Sequence, residues 1–418
     1  MKNLLFISAL SFYFQLLTLT SGAQTAYITT EDGNTVSVID CTSNTVTANI
    51  PIGGPSYGVS VSHDGSKVYI TNPPYVKVIN THTNSVSATI PVDTNGSLIC
   101  VSPDGRKIYV TYYSRSGTVR IINTATNTVT DTIAVGTYPQ GISVSPDGSK
   151  IYVANLYRYN GINYDNTVRV IDSLTNTVTA TITVGNGPYG IAVTPDGSKA
   201  YVINSSSIGG IHSTVSVINT ATNTVTNTVT VGYGAVGVSV TPDGSRAYVT
   251  NGNSNTVSVI NTAADTVTAT ITVGNGPFGI AVSPDGSKVY VANSRNDSTV
   301  SVISTAANTV LTTIHLNFNP TAFGNFISSY NQHIDNIVTP GMVSANIAVY
   351  PNPATDNITI ESEQPAVIEI TNIQGQLIKT FATTDNKTNI NVSALASGVY
   401  VVEVKTEKGV EVKKFIKE

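Results

Sequence analysis

The sequence predicts an all-β protein in which one four-strand unit is repeated along most of the chain. Of its 418 residues, 40% are hydrophobic and only 11% are charged, and the chain is rich in threonine and valine, which favour strands. Apolar and small polar residues alternate with a period of two, as in half-buried strands. The segment Pro-Asp-Gly-Ser-Lys-Val-Tyr-Val-Ala-Asn, residues 284–293, recurs with small changes along the chain.

Composition excludes two classes of protein. Disordered chains combine low hydrophobicity with high charge, and this chain has the opposite balance. A general nucleic-acid binder needs a basic surface, whereas the formal net charge here is −4. We therefore expect an ordered, weakly charged protein that does not bind nucleic acid as its main role.

Residues 1–23 have the layout of a secretory signal peptide. Lys2 precedes an apolar run, residues 4–19, and small residues precede the expected cleavage site before Gln24. The run is shorter than the roughly 20 residues that a spanning helix needs, so a membrane anchor is the weaker alternative. We expect an exported chain without a transmembrane segment.

The repeated unit has the length of a propeller blade. Relatives of residues 284–293 start at His63, Pro103, Pro146, Pro195 and Pro242, at spacings of 40 to 49 residues. Each unit reads as four short strands, with an Asp-Gly turn after the first. In the last unit the strands are predicted at residues 279–283, 288–292, 299–303 and 309–314.

Tyrosines of the second strand give the blade count. Seven occupy the same place in the repeat: Tyr27, Tyr69, Tyr109, Tyr152, Tyr201, Tyr248 and Tyr290. The first unit lacks its innermost strand, and residues 320–327 resemble that strand. We therefore predict a seven-bladed β-propeller over residues 24–328, in which the C-terminal strand closes the first blade and removes the open sheet edges.

The repeats resemble those of the YVTN family of β-propellers. The resemblance is carried by the motif at residues 284–293 together with Thr-Val-Ser-Val-Ile at residues 299–303, and it covers about residues 24–328. It implies a bacterial or archaeal surface or secreted protein. It leaves the function open, because propellers serve many unrelated roles.

A different module follows a predicted linker at residues 329–344. Residues 345–418 hold 16 of the 46 charged residues and alternate in a way that predicts a small Ig-like β-sandwich. They resemble the C-terminal sorting domain of type IX secretion substrates of Bacteroidetes. This resemblance is carried by Pro351, Asn352, Pro353, Gly375, Gln376, Gly398, Tyr400, Lys413, Lys414 and Lys417.

The sorting resemblance implies a partner and a location. The partner is the type IX secretion machinery, which would deliver the protein outside the cell or to the outer cell surface. The alternative is an Ig-like module with no sorting role. Whether the domain is cleaved or attached to lipid stays open at this point.

Catalytic chemistry is not apparent in the sequence. The predicted innermost strands carry no Asp, Glu, Lys, Arg or His, and general acid–base catalysis needs a positioned titratable group. The Asp of each Asp-Gly turn is explained by turn hydrogen bonds, and the five His lack metal-ligand spacing. We expect no enzyme, no cofactor and no metal, and no disulfide between Cys41 and Cys100, which fall in non-adjacent blades.

Two groups of residues are candidate binding sites. The first is a ridge on the loops that join the second and third strands: Tyr112, Tyr113, Arg115, Tyr157, Arg158, Tyr159, Tyr164 and His212. The second lies at the mouth of the central channel: Tyr57, Tyr189, Phe278 and Phe323. Tyrosine and arginine favour recognition surfaces. The alternative is that the mouth rings only plug the channel and that the loops pack on each other.

The preferred hypothesis is a non-enzymatic binding or structural module outside the cell. Its partner would be a glycan or a protein at the cell surface, and we expect a monomer. The alternatives are a propeller enzyme, lactonase-like or redox-associated, and a binder of single-stranded nucleic acid.

Overall fold

The computed structural model describes residues 24–30, 32–159, 162–205, 212–328, 348–362, 365–372, 377–383, 385–396, 398–406 and 409–417. The chain divides into two compact units, Met1–Gln332 and His333–Glu418. The predicted signal peptide and linker lie outside the described residues. Within the described ranges, no helix is long and apolar enough to cross a membrane.

Seven antiparallel four-stranded sheets build the first unit, one per blade. Blade 1 contains β1 (Thr25–Thr29), β2 (Thr35–Asp40) and β3 (Thr45–Pro51). Blade 2 contains β4 (Val59–Val61), β5 (Lys67–Asn72), β6 (Tyr75–Asn80) and β7 (Ser85–Pro91). Blade 3 contains β8 (Gly96–Val101), β9 (Lys107–Tyr112), β10 (Gly117–Asn123) and β11 (Thr128–Gly136). Blade 4 contains β12 (Pro139–Val144), β13 (Lys150–Tyr159), β14 (Ile162–Asp172) and β15 (Thr177–Thr183).

The remaining blades continue the same order. Blade 5 contains β16 (Pro188–Val193), β17 (Lys199–Asn204), β18 (Thr214–Asn219) and β19 (Thr224–Thr230). Blade 6 contains β20 (Ala235–Val240), β21 (Arg246–Asn251), β22 (Thr256–Asn261) and β23 (Thr266–Thr272). Blade 7 contains β24 (Pro277–Val282), β25 (Lys288–Asn293), β26 (Thr299–Ser304) and β27 (Thr309–His315). The innermost strand of blade 1 is β28 (Ile327–Ser328).

The strand β28 closes the ring as the sequence predicts. It pairs antiparallel with β1, with Ala26 opposite Ile327 and Thr25 opposite Ser328. The Tyr27 amide also donates a hydrogen bond to the carbonyl oxygen of Phe326 at 2.8 Å. The first blade is thus completed by the end of the repeat region, and the prediction of a seven-bladed propeller is confirmed.

One face of the propeller carries the turns that follow the innermost and third strands of each blade; we call it the turn face. The opposite face, the loop face, carries the other connections. On the turn face, Asp147 accepts hydrogen bonds from the Ser145 hydroxyl at 2.5 Å and the Ser149 amide at 3.0 Å. These bonds lower the pKa of Asp147 to about 2. Gly148 has a φ of 74°, which suits glycine at this turn.

Contacts on the turn face also join neighbouring blades. In blade 7, the Lys288 ammonium donates to the Cys41 carbonyl oxygen at 2.6 Å, and the buried Tyr290 hydroxyl donates to Asn44 Oδ1 at 2.9 Å. Both acceptors belong to blade 1, so these bonds reinforce the ring closure. Other second-strand tyrosines make the same kind of bond: Tyr27 to Asn84, Tyr201 to Asp265 and Tyr248 to Asn308.

Two facing sheets form the second unit, and the predicted small β-sandwich is confirmed. One sheet contains β29 (Ala348–Tyr350), β30 (Asn357–Glu361) and β33 (Lys387–Asn391). The other contains β31 (Ala366–Asn372), β32 (Leu377–Thr383), β34 (Gly398–Thr406) and β35 (Gly409–Lys417). Ile358 of the first sheet and Ile368, Val402 and Phe415 of the second are fully buried in one shared core.

Candidate functional site

Three aromatic rings cover the channel on the loop face. The centroid of the Tyr189 ring lies 5.7 Å from that of Phe323 and 6.2 Å from that of Phe278, and Phe278 and Phe323 are 5.6 Å apart. All three pairs meet edge to face, an arrangement that the ring quadrupoles favour. Beneath them lies an apolar cavity of about 40 Å³. This packing corresponds to the plug that the sequence left as the alternative for these mouth residues.

The backbone places these rings through glycine. Phe278 and Tyr189 begin the innermost strands of their blades, and each is followed by glycine, Gly279 and Gly190. A Cβ at Gly190 would collide with the carbonyl oxygen of Val236 in the innermost strand of blade 6, and one at Gly279 with that of Ala322, which precedes β28. Glycine there lets adjacent innermost strands approach closely, which brings their preceding aromatic side chains together at the channel mouth.

The fourth predicted mouth residue, Tyr57, remains 37% exposed. Its backbone is held between blades, because its amide donates to the Thr71 carbonyl oxygen at 3.3 Å and its own carbonyl oxygen accepts from the Phe323 amide at 3.2 Å. The backbone of Tyr57 thus adjoins that of Phe323, and its side chain is partly exposed to solvent.

A second aromatic pair lies on the loop face, on connections of blades 3 and 4. The rings of Tyr113 and Tyr138 lie 4.7 Å apart, and Tyr113 is 42% exposed. Burial raises the pKa of the Tyr189 phenol, and the charge of Tyr113 adds to this effect. We call Tyr113, Tyr138, Tyr189, Phe278 and Phe323 the aromatic platform.

Tyr138 adopts a backbone conformation that side chains rarely take. Its φ is 48°, whereas the corresponding positions before the innermost strands of blades 5, 6 and 7 are Gly187, Gly234 and Gly276, all with positive φ. The Tyr138 amide donates to the Ser114 carbonyl oxygen at 2.7 Å, and its carbonyl oxygen accepts from the Leu156 amide at 3.1 Å. A bulky residue in this region is a strained outlier, and such outliers concentrate at functional sites.

Several predicted ridge residues have other positions or roles. Tyr112 is only 4% exposed, the Arg120 guanidinium lies 4.5 Å from its ring, and its hydroxyl accepts from the Asp93 amide at 3.2 Å. It is therefore part of the blade core, a correction to the predicted ridge. Arg115 is exposed.

His212 does not adjoin the platform residues of blades 3 and 4. It stacks on Tyr233 at 4.1 Å between blades 5 and 6, and its Nδ1 lies 2.8 Å from the Val231 carbonyl oxygen. The predicted single ridge is thus two aromatic patches in the described residues. Sequence reasoning missed Tyr138 and Tyr233, which lie on connections before an innermost strand.

The insertion of blade 4 is a hairpin, not the loop that the sequence suggested. The strands β13 and β14 remain paired past the end of the blade, from Asn155 opposite Thr167 to Tyr159 opposite Ile162. Asp165 ties the hairpin to the preceding connection, because its carboxylate accepts from the Thr137 amide at 3.2 Å. The side chains of Tyr157, Arg158, Tyr159 and Tyr164 lie outside the described ones, so their part in the ridge stays a prediction.

Titratable groups do not converge at the channel. The described residues that line it are mostly aliphatic, with serine hydroxyls and two titratable side chains, His63 and Cys100. In the parts of the chain that the structure describes, no three His, Cys, Asp or Glu residues form a group that could hold a metal ion. Cys41 in blade 1 and Cys100 in blade 3 are free thiols.

The predicted sorting residues lie in the second unit. Asn352 accepts a hydrogen bond on Oδ1 from the Ile416 amide at 2.8 Å, between Pro351 and Pro353. The Tyr400 ring stacks on Phe415 at 5.5 Å, and its hydroxyl donates to the Ala396 carbonyl oxygen at 2.9 Å. The other described members are Gly398 at the start of β34 and Lys413, Lys414 and Lys417 on β35. Gly375 and Gln376 lie outside the described residues.

The fold defines a seven-bladed propeller followed by a small β-sandwich. Residues 348–418 match the family model described as a secretion system C-terminal sorting domain. The C-terminal unit is therefore a sorting domain, and it directs export by the type IX secretion system to the cell surface or the extracellular space. Residues 156–321 match the family model described as lactonase, 7-bladed beta-propeller.

Solved structures support the propeller fold. The chain is similar to Kuenenia stuttgartiensis hydrazine synthase, with a TM-score of 0.62 and 21% identity, over 68% of this chain and 92% of that one. It is also similar to a functionally unknown protein from Desulfotomaculum acetoxidans DSM 771, with a TM-score of 0.61 and 19% identity, over 73% of this chain and 98% of that one. At these identities the likeness concerns the fold alone. No functionally curated protein is detectably similar in sequence.

Proposed function

We propose that this exported propeller is a non-enzymatic binding protein that recognises an extracellular glycan through the aromatic platform. The observation that carries the proposal is the presence of two groups of aromatic rings on the loop face, the Tyr113–Tyr138 pair and the three rings at the channel mouth. Within the pair the rings lie 4.7 Å apart, and within the mouth group they lie 5.6 to 6.2 Å apart. The sorting domain supports an extracellular partner, because it directs the chain out of the cell.

Aromatic rings suit a neutral, ring-shaped ligand. The face of a phenol or phenyl ring carries partial negative charge, which attracts the polarised C–H groups on the flat side of a sugar. Tyrosine hydroxyls can exchange hydrogen bonds with sugar hydroxyls. Tyr113 presents both features to solvent, and Tyr189 and Phe278 are partly exposed beside it. The strained φ of Tyr138 supports a role beyond packing, since glycine serves the same position in three other blades.

The channel wall supports a binding role over a catalytic one. General acid–base catalysis needs a positioned titratable group at the reacting bond. The innermost strands instead present Val, Ile, Ser and Ala side chains to the channel, and its loop-face mouth is filled by Tyr189, Phe278 and Phe323.

The experiment compares the purified protein with a platform variant on an array of neutral and acidic polysaccharides. The double variant Tyr113→Ala with Tyr138→Gly removes the exposed pair and leaves glycine where the backbone favours it. We expect binding to a neutral polysaccharide to fall at least tenfold. Tyr75→Ala is the matched control, because Tyr75 is 39% exposed and lies outside the platform. Absence of glycan binding, or equal binding by both variants, contradicts the proposal.

The match of residues 156–321 to the lactonase model favours one other function, hydrolysis of a lactone. This alternative predicts that the purified protein hydrolyses lactones. Hydrolysis is measured on a series of lactones by titrating the acid that each reaction releases. Turnover above the uncatalysed rate that is lost in a Phe278→Ala variant would favour the enzyme. A rate equal to the uncatalysed one in every lactone supports the binding role.

A further inference from the structure

The channel is open at the turn face and forms a cup of about 580 Å³. Its wall is built by the innermost strands of blades 2 to 7, together with Gly324, Asn325 and Ile327 of the closing segment. Sites for small molecules are concave cavities of roughly 300 to 1,000 Å³ with a mostly apolar lining. The cup has the size and the concavity of such a site.

The wall of the cup is aliphatic in two layers. A ring of side chains near the opening consists of Val61, Val101, Val144, Val193, Val240, Val282 and Ile327. A deeper ring consists of Ile99, Ile142, Ile191, Val238 and Ile280. Prolines form most of the rim, and His63 and Cys100 are the two titratable side chains among the lining residues. A charged ligand would lose its hydration here without gaining a partner of opposite charge.

Three serine hydroxyls lie between the aliphatic rings. Each accepts a hydrogen bond from a backbone amide of the next blade: Ser60 from Val101 at 3.2 Å, Ser143 from Val193 at 3.4 Å and Ser239 from Val282 at 3.2 Å. A hydroxyl has one hydrogen and two acceptor positions. With an amide bound to the oxygen, each serine retains its hydrogen to donate. The three serines belong to blades 2, 4 and 6, so these donors lie around the channel.

We propose that the cup is a second binding site, which takes a small uncharged aliphatic molecule with acceptor oxygens, of the fatty ester class. The aliphatic rings would bury the hydrocarbon part, and the serine hydroxyls would donate to the ester oxygens. The site is distinct from the aromatic platform, because none of the five platform residues lines the cup.

The test uses the full-length exported chain and three probes of similar size: methyl octanoate, octanoate and n-octane. Binding is measured by ligand-observed saturation-transfer NMR and by calorimetry. We expect methyl octanoate to bind at least tenfold more tightly than octanoate, which is charged, or n-octane, which has no acceptor. Equal affinity for octanoate, or no saturable binding of methyl octanoate, overturns the proposal.

Two variants localise the probe to the cup. Ala192→Phe fills the cavity from the wall and should abolish binding. Ser143→Ala removes one donor and should weaken binding about three- to tenfold, the effect of one net hydrogen bond. The second variant keeps the test decisive if the first does not fold. Tyr113→Ala on the loop face is the control and should leave the affinity unchanged. Unchanged affinity in Ser143→Ala overturns the assignment of the donors.

Discussion

The two faces of the propeller differ in how strictly they follow the repeat. On the turn face, blade after blade pairs a serine or threonine with the turn aspartate, from Ser62 with Asp64 to Ser283 with Asp285. On the loop face, one blade has Tyr138 where another has Gly187, and one hairpin is extended. The turn face, which follows the repeat closely, carries contacts that hold the ring together. The loop face, which departs from the repeat, carries the candidate site.

This division has a physical basis. In several blades the lysine and tyrosine of the second strand reach the turn of the next blade, as Lys288 and Tyr290 reach Asn44, so a change there disturbs two blades. Residues at the tips of the loop face bond mainly to their own or the adjacent connection, as Tyr138 does to Ser114 and Leu156. The loop face can therefore vary at little cost to the ring, which is where binding specificity is usually added to a scaffold.

The largest expected difference between the faces concerns stability. Tyr290→Ala on the turn face removes a fully buried ring and its bonds to blade 1, and we expect it to lower the free energy of unfolding by about 3–5 kcal/mol. Tyr113→Ala on the loop face removes a ring that is 42% exposed and should cost under about 1 kcal/mol. Chemical denaturation monitored by circular dichroism measures both. A similar loss of unfolding free energy in the two variants would contradict the proposed difference between the two faces.

A smaller effect is expected from acid, and it too belongs to the turn face. Asp147 has a pKa of about 2 in the fold, below its ordinary value of 3.8, because the Ser145 hydroxyl and the Ser149 amide bond to its charged form. A lowered pKa contributes stability that is present above 3.8 and is lost as the pH falls towards 2. The pKa values of Asp64, Asp104, Asp196, Asp243 and Asp285 are lowered in the same direction. The melting temperature should therefore decrease when the pH is lowered below about 4.

The Asp147→Asn variant sharpens this acid prediction. Its amide cannot titrate, so the variant should be less stable than the natural chain at pH 6 but should lose less stability between pH 4 and pH 2. The measurement is a series of melting curves across that range. If both proteins lose the same melting temperature between pH 4 and pH 2, the Asp147 carboxylate does not contribute to the acid dependence of stability.

The repeat made the scaffold predictable, and departures from the repeat made the site hard to predict. Blade count and closure followed from the tyrosines and from residues 320–327, because strict repetition carries the signal many times. Tyr138 was missed because its partner Tyr113 belongs to another connection, and only the fold brings them together. Tyr112 could have been assigned to the core, since neighbouring residues of a strand face opposite sides. The Asn160-Gly161 dipeptide was a hairpin signal within the blade 4 insertion.

The smallest predicted difference lies within the turn face, between two tyrosines at the same repeat position. Both Tyr290 and Tyr152 are fully buried, but the Tyr290 hydroxyl is bonded to Cys41 and Asn44. The buried Tyr152 hydroxyl has no hydrogen-bond partner among the described residues.

Removing a bonded hydroxyl loses its net contribution of about 1 kcal/mol and leaves its acceptors unpaired, whereas removing an unbonded one relieves a desolvated polar group. Tyr290→Phe should therefore destabilise the propeller by about 1 kcal/mol, and Tyr152→Phe should be neutral or stabilising. Paired denaturation curves decide this, and because each substitution deletes one oxygen atom and keeps the ring, packing cancels between them. An equal loss of unfolding free energy in the two variants would mean that the Tyr152 hydroxyl is hydrogen-bonded at the blade 4–5 junction, as Tyr290 is at the blade 7–1 closure. The turn face would then be more uniform than the described contacts show.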